Sequence, residues 1–281
     1  MSGTGTSERA SGRASEGASE RARRRSDQSL YASQRQQMLV RTVRATGRVD
    51  AAAAAVEFQV STETIRKDLI ELERLGLLRR VHGGAIAVDE LSFEPAISAR
   101  TEFMEEKRRI ARAALEEVPR TGAVLLDNGS TVARLAEIFP ADRDLTVFTN
   151  SLTIALTLVS RPRLTVHTLG GRVRGVTLAE VGMWATRALS ELRADVAFLG
   201  TNGLSVERGV TTPDEAEAAV KGMMYGAARR RILLADHSKI GHVSMLKYAD
   251  LSDVDLLITD TGLPDDECRR LEDAGLTVRR V

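Results

Sequence analysis

Short apolar runs alternate with longer amphipathic stretches through the C-terminal two-thirds of the chain. The runs are Ala123–Leu126, Leu145–Thr149, Leu164–Leu169, Val196–Leu199, Ile232–Ala235 and Leu256–Thr259. They read as short buried strands. Helical stretches near 130–139, 151–160, 180–192, 213–230 and 265–274 separate them, after a first helix at Lys107–Val118. Strands alternating with helices imply right-handed crossovers and a mostly parallel sheet, so the expected class is α/β. The N-terminal third is patterned differently. Helical spacing over Leu30–Ala45 puts Leu30, Met38, Leu39 and Val43 on an approximate core side, and Gly47 breaks it. Asp50 opens a short alanine-rich helix, Ala51–Glu57. A second amphipathic helix follows from Ser61. With Ile65 as reference, Leu69, Leu72 and Gly76 fall within about 40° of it on a helical wheel. Glu63, Thr64, Arg66 and Lys67 point the other way. Ser61 is the expected N-cap and Gly76 the left-handed terminus. Leu77–Val81 and Ala85–Val88 then flank Gly83-Gly84, a dipeptide suited to a tight hairpin turn.

A short helix, a turn and a helix with a basic, hydroxylic N-terminal face are the parts of a helix-turn-helix. The hairpin would be its wing, with Arg79, Arg80 and His82 placed to meet phosphates. The DNA-contact set expected from this face and wing is Ser61, Thr62, Glu63, Thr64, Arg66, Lys67, Arg79, Arg80, His82, Gly83 and Gly84. The charges alone also fit an ordinary solvated surface helix.

Formal net charge is only +1, which by itself argues against a polyanion partner. The distribution reverses that reading. Residues 1–88 carry 15 Lys and Arg against 10 Asp and Glu, whereas residues 89–281 carry 25 against 29. The basic excess sits where the helix-turn-helix sits. Residues 1–29 lack apolar periodicity and are expected to be a disordered basic tail. Their Arg21–Arg25 cluster either adds non-specific DNA affinity or serves only as a soluble tail. The expected division is thus a tail 1–29, a winged helix-turn-helix 30–88, a linker 89–106 containing Pro95, and an α/β unit 107–281. A lone Cys268 offers no disulfide framework and fits a reducing, cytoplasmic setting. No apolar run is long enough for a transmembrane helix, and no secretory signal is seen. His167, inside a strand pattern, and His242, in a loop, stand outside any metal-ligand spacing and read as structural.

Nearly every expected strand of the α/β unit ends in a small polar cluster, at the edge where parallel sheets bind ligands. The first, Asp127-Asn128-Gly129-Ser130-Thr131, precedes a helix and offers hydroxyls, amides and a helix dipole to an anion such as phosphate. Lys221 and Lys239 are lone cations that can complete such a site or simply be surface lysines.

The string TIRKDLIELERLGLLRRVHGGA resembles the recognition helix and wing of the DeoR family of bacterial transcriptional regulators. In that family a Thr-Ile-Arg-Arg-Asp-Leu core and an Arg-Val-His-Gly-Gly-Ala wing recur together. Lys67 replaces the usual second Arg, keeping the charge but losing the guanidinium fork. LLDNGSTV, FTNSLTIA, LGGRVR, VGMWA, AFLGTNGLS, GVTTPDEAEAAVKGMM, LLADHSKIG and LLITD follow the family's C-terminal sensor motifs in order. The resemblance spans about Leu30–Asp260 and leaves the tail outside. It implies a fold similar to ribose-5-phosphate isomerase and the CoA-transferase group, used to sense a phosphorylated sugar. Carried over by motif, the effector loop is Asp127, Gly129, Ser130 and Thr131. Around it stand Asn150, Gly170, Gly171, Gly200, Asn202, Gly203, Lys221, Asp236 and Lys239. Asn128 stands where many members have Ser or Ala, which bears on the effector's identity.

The resulting expectation is a repressor of carbohydrate-metabolism genes, without catalytic residues, cofactor or metal. It would be a homo-oligomer, dimer or tetramer, that binds operator DNA and is released by a phosphorylated sugar. One alternative is a sugar-phosphate isomerase using Asp127, Asp236 and Lys239 as acid–base residues, but an isomerase has no use for a winged helix. Another is a constitutive DNA-binding protein whose C-terminal domain only dimerises.

Overall fold

The computed structural model describes residues 32–43, 45–87 and 94–281. The expected tail, Leu30, Val88 and residues 89–93 lie outside the described residues. The chain divides into two compact units, Met1–Val88 and Asp89–Val281.

In the first unit a helix over 32–43 (α1) precedes β1 (Arg48–Asp50), α2 (Ala51–Glu57) and α3 (Thr62–Arg74). The wing strands β2 (Arg79–Val81) and β3 (Gly84–Ile86) follow. Asp50 caps α2 by accepting from the Ala52 and Ala53 amides, both at 2.9 Å. Ser61 caps α3, accepting from Thr64 N at 3.1 Å. Gly76, at φ +71°, ends it, and the Leu77 amide returns to Leu72 O at 2.9 Å. Leu39, Val43, Ile65, Leu69, Leu72 and Leu78 form the core, with Ala51, Ala54 and Ala55 letting α2 approach closely.

Three details differ from the sequence reading. Met38 is exposed, because the buried stripe of α1 runs through Leu39, Val40 and Val43 instead. The wing turns at His82-Gly83 and not at Gly83-Gly84, since Val81 pairs with Gly84. A third strand, β1, joins on the far side of β3 in the order β1-β3-β2. At three residues, β1 was too short for a periodic signal.

The second unit opens with α4 (Met104–Leu115), β4 (Thr121–Leu126), α5 (Ser130–Glu137), β5 (Asp144–Thr149), α6 (Leu152–Leu158) and β6 (Leu164–Thr168). A small hairpin, β7 (Arg172–Val173) and β8 (Glu180–Val181), leads to α7 (Met183–Ser190) and β9 (Ala194–Gly200). Next come β10 (Gly203–Ser205), β11 (Gly209–Thr212), α8 (Glu215–Gly226), β12 (Ala228–Leu234) and β13 (Leu246–Ala249). The chain closes with β14 (Leu256–Thr259), α9 (Asp265–Asp273) and β15 (Val278–Arg280). Seven strands form one sheet in the order β15-β14-β12-β9-β4-β5-β6, every neighbouring pair parallel. Alternate residues serve opposite faces. Val124, Leu126, Val147, Phe198 and Ile232 pack with Ile110, Leu135 and Ile154. Leu125, Leu199, Leu233 and Leu257 pack with Leu189, Val220 and Met224. Burial on both faces is why these strands read as continuous apolar runs.

The six expected strands are all in this sheet. The edge strand β15, the hairpin β7–β8 and the antiparallel sheet β10-β11-β13 were not anticipated. Helix α4 starts at Met104, three residues before Lys107, and residues 94–100 already pack on this unit: the Ile97 amide donates to Val176 O at 2.9 Å.

Candidate functional site

In the first unit Arg66 and Lys67 project from the N-terminal half of α3 into solvent. Arg66 lies 3.7 Å from Glu63, an exposed pair of little energetic weight that a base edge can replace. The hydroxyls of Ser61 and Thr64 are bonded to each other at 2.8 Å within the helix cap, so they are held rather than free. Glu63 is exposed and Thr62 half-buried. Arg79, Arg80, His82 and Gly83 are exposed on the wing. The Arg80 amide donates to Glu73 Oε1 at 2.8 Å, which braces the wing against α3. Gly84 is buried. A Cβ there would lie 2.0 Å from Val49 O, so its role is the close approach of β3 to β1.

One important residue of this unit was missed. Asp68 is buried and accepts from Arg35 Nε at 2.6 Å and Gln36 Nε2 at 3.0 Å, tying α1 to α3. Its position three residues after Ile65 and four before Leu72 was the available signal, because it falls beside the core stripe. Asp68→Ala strands the half-sequestered Arg35 guanidinium and is expected to cost about 3 kcal/mol. Urea unfolding of this unit, followed by helix signal, checks that value.

In the second unit the strand order reverses between β4 and β9, and a ligand site is expected in the crevice there. Asp127 follows β4 and is fully buried. Its Oδ2 accepts from Lys221 Nζ and, at 3.0 Å, from the Gly200 amide at the end of β9. Lys221 Nζ also donates to Gly200 O at 3.2 Å. Lys221 is therefore not a lone cation but half of a buried pair. Burial pushes the Asp127 carboxyl above its ordinary range, against the opposing pull of Lys221 and the Gly200 amide. Asp127 Oδ1 and Asn128 Oδ1 are buried with no hydrogen-bond partner among the described residues. The Asn128 amide donates to Asn150 Oδ1 at 2.9 Å, joining the loops after β4 and β5.

Helix α5 begins at Ser130 with no side-chain cap and no acidic residue in its first turn. Its leading amides and dipole are thus available to an anion. Thr131 is buried and Ser130 half-buried at this end. Gly129 has no glycine-only backbone: its φ of 166° is extended, and a Cβ would meet only Gly200 Cα, at 4.0 Å. Gly171 does require glycine, at φ +107° with Val181 O 2.6 Å from where a Cβ would sit. The Gly170 amide donates to Glu180 Oε2 at 2.7 Å. Asn202 accepts from Thr212 Oγ1 at 3.0 Å, and Gly203 opens β10. Asp236 is buried after β12 and accepts from the Ser238 hydroxyl at 2.5 Å. Lys239 is half-buried in the same turn, and no hydrogen bond or ion pair joins it to Ser130 or Thr131 among the described residues.

Several residues at this edge escaped the sequence reading. Lys107 is buried, donates to Glu102 O at 2.6 Å and lies 3.9 Å from Asp236. Burial lowers its pKa. It stands three residues before Ile110 on the buried stripe of α4, a signal that was legible. His237 Nδ1 is 2.7 Å from Asp260 Oδ2. Burial raises the Asp260 carboxyl, but bonds from the His237 and Gly262 amides and the imidazole outweigh it and leave the pKa low. Tyr248 donates its hydroxyl to Gly200 O at 2.9 Å. His167 stacks on Phe148 across β5 and β6. No group of His, Cys, Asp and Glu among the described residues is arranged to hold a metal, and none of their helices is long and apolar enough to cross a membrane.

Residues 35–90 match the DeoR-like helix-turn-helix domain and residues 102–261 the DeoR C terminal sensor domain. The chain is 40% identical to the HTH-type transcriptional regulator GlpR of Haloferax volcanii, over 78% of this chain and 86% of that one. It is 36% identical to the HTH-type transcriptional repressor GlcR of Bacillus subtilis, over 72% and 78%. Among solved structures it is similar to ribose 5-phosphate isomerase A of Methanocaldococcus jannaschii, at 15% identity and TM-score 0.36, over 48% of this chain and 54% of that one. The sensor-domain match alone covers more than half of the chain, and both relatives are above 30% identical over more than two thirds of it, so the chain is a member of the DeoR family of helix-turn-helix transcriptional regulators.

Proposed function

We propose that the chain is a cytoplasmic, homo-oligomeric repressor of carbohydrate-metabolism genes, released from its operator by a phosphorylated sugar. The observation that carries the reading is the uncapped N-terminus of α5 beside the Asp127–Lys221 pair at the switch point of the sheet. Open amides and hydroxyls there suit a phosphate, and the unpartnered Asp127 Oδ1 and Asn128 Oδ1 suit sugar hydroxyls. Arg66 and Lys67 are the proposed base readers, and Arg79, Arg80 and His82 the phosphate contacts. Relatives named as transcriptional regulators leave the isomerase alternative without support.

Thermal unfolding of the full chain with a panel of phosphosugars, the matching free sugars and inorganic phosphate tests the effector. A phosphosugar at 100 times its dissociation constant should add about 2.7 kcal/mol of stability. Equal stabilisation by the free sugar would remove phosphate recognition from the reading. Stabilisation by none of the panel would remove the effector class.

A further inference from the structure

The segment that leads from the DNA-binding unit into the second unit is fastened to the β7–β8 turn and to the proposed effector loop of Asp236. Its N-terminal fastening is Glu94, whose side chain is 7% exposed. Glu94 Oε1 lies 3.1 Å from Arg100 Nη2 on the same segment, and its Oε2 lies 2.8 Å from Arg174 Nη1 just after β7. Arg174 Nη1 is also 2.5 Å from Glu217 Oε1 on α8, and its Nη2 is 3.0 Å from Asp214. Glu217 accepts a further bond from Thr177 at 2.5 Å. One helical turn later α8 carries Lys221, which pulls electrostatically on Glu217 and binds Asp127. Charges therefore alternate along a buried row: Glu94, Arg174, Glu217, Lys221, Asp127. The row begins on the connecting segment and ends in the loop before α5.

The C-terminal fastening reaches a different loop. Phe103 sits in the left-handed region at φ +55° and meets His237 edge-on at 4.7 Å. Lys107 approaches Asp236, the neighbour of that histidine, at 3.9 Å. Between the two fastenings, the Ile97 amide is held by Val176 O. A non-glycine residue with positive φ persists only where its surroundings over-determine it. Removing one member of a buried charge row leaves its neighbours uncompensated, so a disturbance at one end is felt along it.

We propose that residues 94–107 form a strap whose docking is set by the effector loops, with the row from Glu94 to Asp127 as the link and Arg174 as its positioning residue. Only the identity of the trigger rests on the effector reading above. The link itself is a property of the free protein. A ligand that draws Lys221 or Asp127 out of the row weakens the hold on Glu94 and frees the only covalent path to the DNA-binding unit.

Hydrogen exchange on the full chain without ligand tests the link. Asp127→Asn should speed exchange of the Ile97 amide about tenfold, in the range of coupled neighbours. The Leu257 amide, bonded to Thr277 O at the far side of the sheet, should keep its wild-type rate. Glu217→Gln should give the same pattern, which guards against a folding defect peculiar to the loop. Combining Asp127→Asn with Glu94→Gln should give less than the product of the separate effects. Unchanged Ile97 exchange in both single variants would overturn the proposal. Equal acceleration at Ile97 and Leu257, or strictly multiplicative effects, would overturn it as well. A phosphosugar panel that stabilises nothing would sink the effector reading while leaving these rates to stand or fall separately.

Discussion

Replacing Lys221 by Met is expected to lower the stability of the second unit by about 3–5 kcal/mol, the usual cost of stripping one partner from a buried ion pair. For a unit of this size that is a fall in melting temperature of about 10 °C or more. The methionine fills the volume of the lysine stem, so the loss is electrostatic rather than a cavity. The pH dependence identifies the cause. Burial already pushes the Asp127 carboxyl up, and without Lys221 the chief opposing pull is gone. A carboxyl whose folded pKa lies above its unfolded value contributes stability below the unfolded pKa and loses it as pH rises through the folded one. The deficit of Lys221→Met should therefore be larger at pH 8 than at pH 5. A deficit independent of pH would point to packing and away from the Asp127–Lys221 pair.

Arg66→Ala is the second large effect, and it falls on DNA. The side chain is exposed on the N-terminal half of α3, and among the described residues it pairs with the exposed Glu63. Loss of a base contact should cost about 1–3 kcal/mol on the operator and little on random DNA. Arg79→Ala should instead weaken both kinds of DNA and reduce the salt slope by about one. Binding curves at several salt concentrations separate the two patterns. An Arg66→Ala protein with unchanged operator affinity would move the recognition face elsewhere.

The sequence carried the long elements because each had a period to show. The six main strands are buried on both faces and read as unbroken apolar runs, and α3 displays its stripe through Ile65, Leu69 and Leu72. The caps at Asp50 and Ser61 and the stop at Gly76 were legible for the same reason, since capping is local chemistry. What stayed hidden depends on distant partners. β1 and β15 are three residues each and exist only through the strands they join. Helical spacing can place Asp68 and Lys107 beside a core stripe, but only the fold supplies Arg35 to Asp68, Asp236 to Lys107 and Glu217 to Arg174. The loops after the strands were legible as polar clusters at one edge. Their internal wiring was not: Lys221 and Asp127 are 94 residues apart, and only the fold joins them.

On the proposed function, operator binding and phosphosugar binding oppose each other through sites that share no residue. Linkage makes the coupling reciprocal, with a usual size of about 1–3 kcal/mol. The direct measurement uses an operator selected by the protein from random-sequence DNA and a phosphosugar chosen by thermal shift. Operator affinity is titrated with and without the sugar, and sugar affinity with and without the operator. Each should weaken the other by the same factor, between about 5-fold and 150-fold. An operator affinity unchanged by saturating phosphosugar would contradict the proposed function.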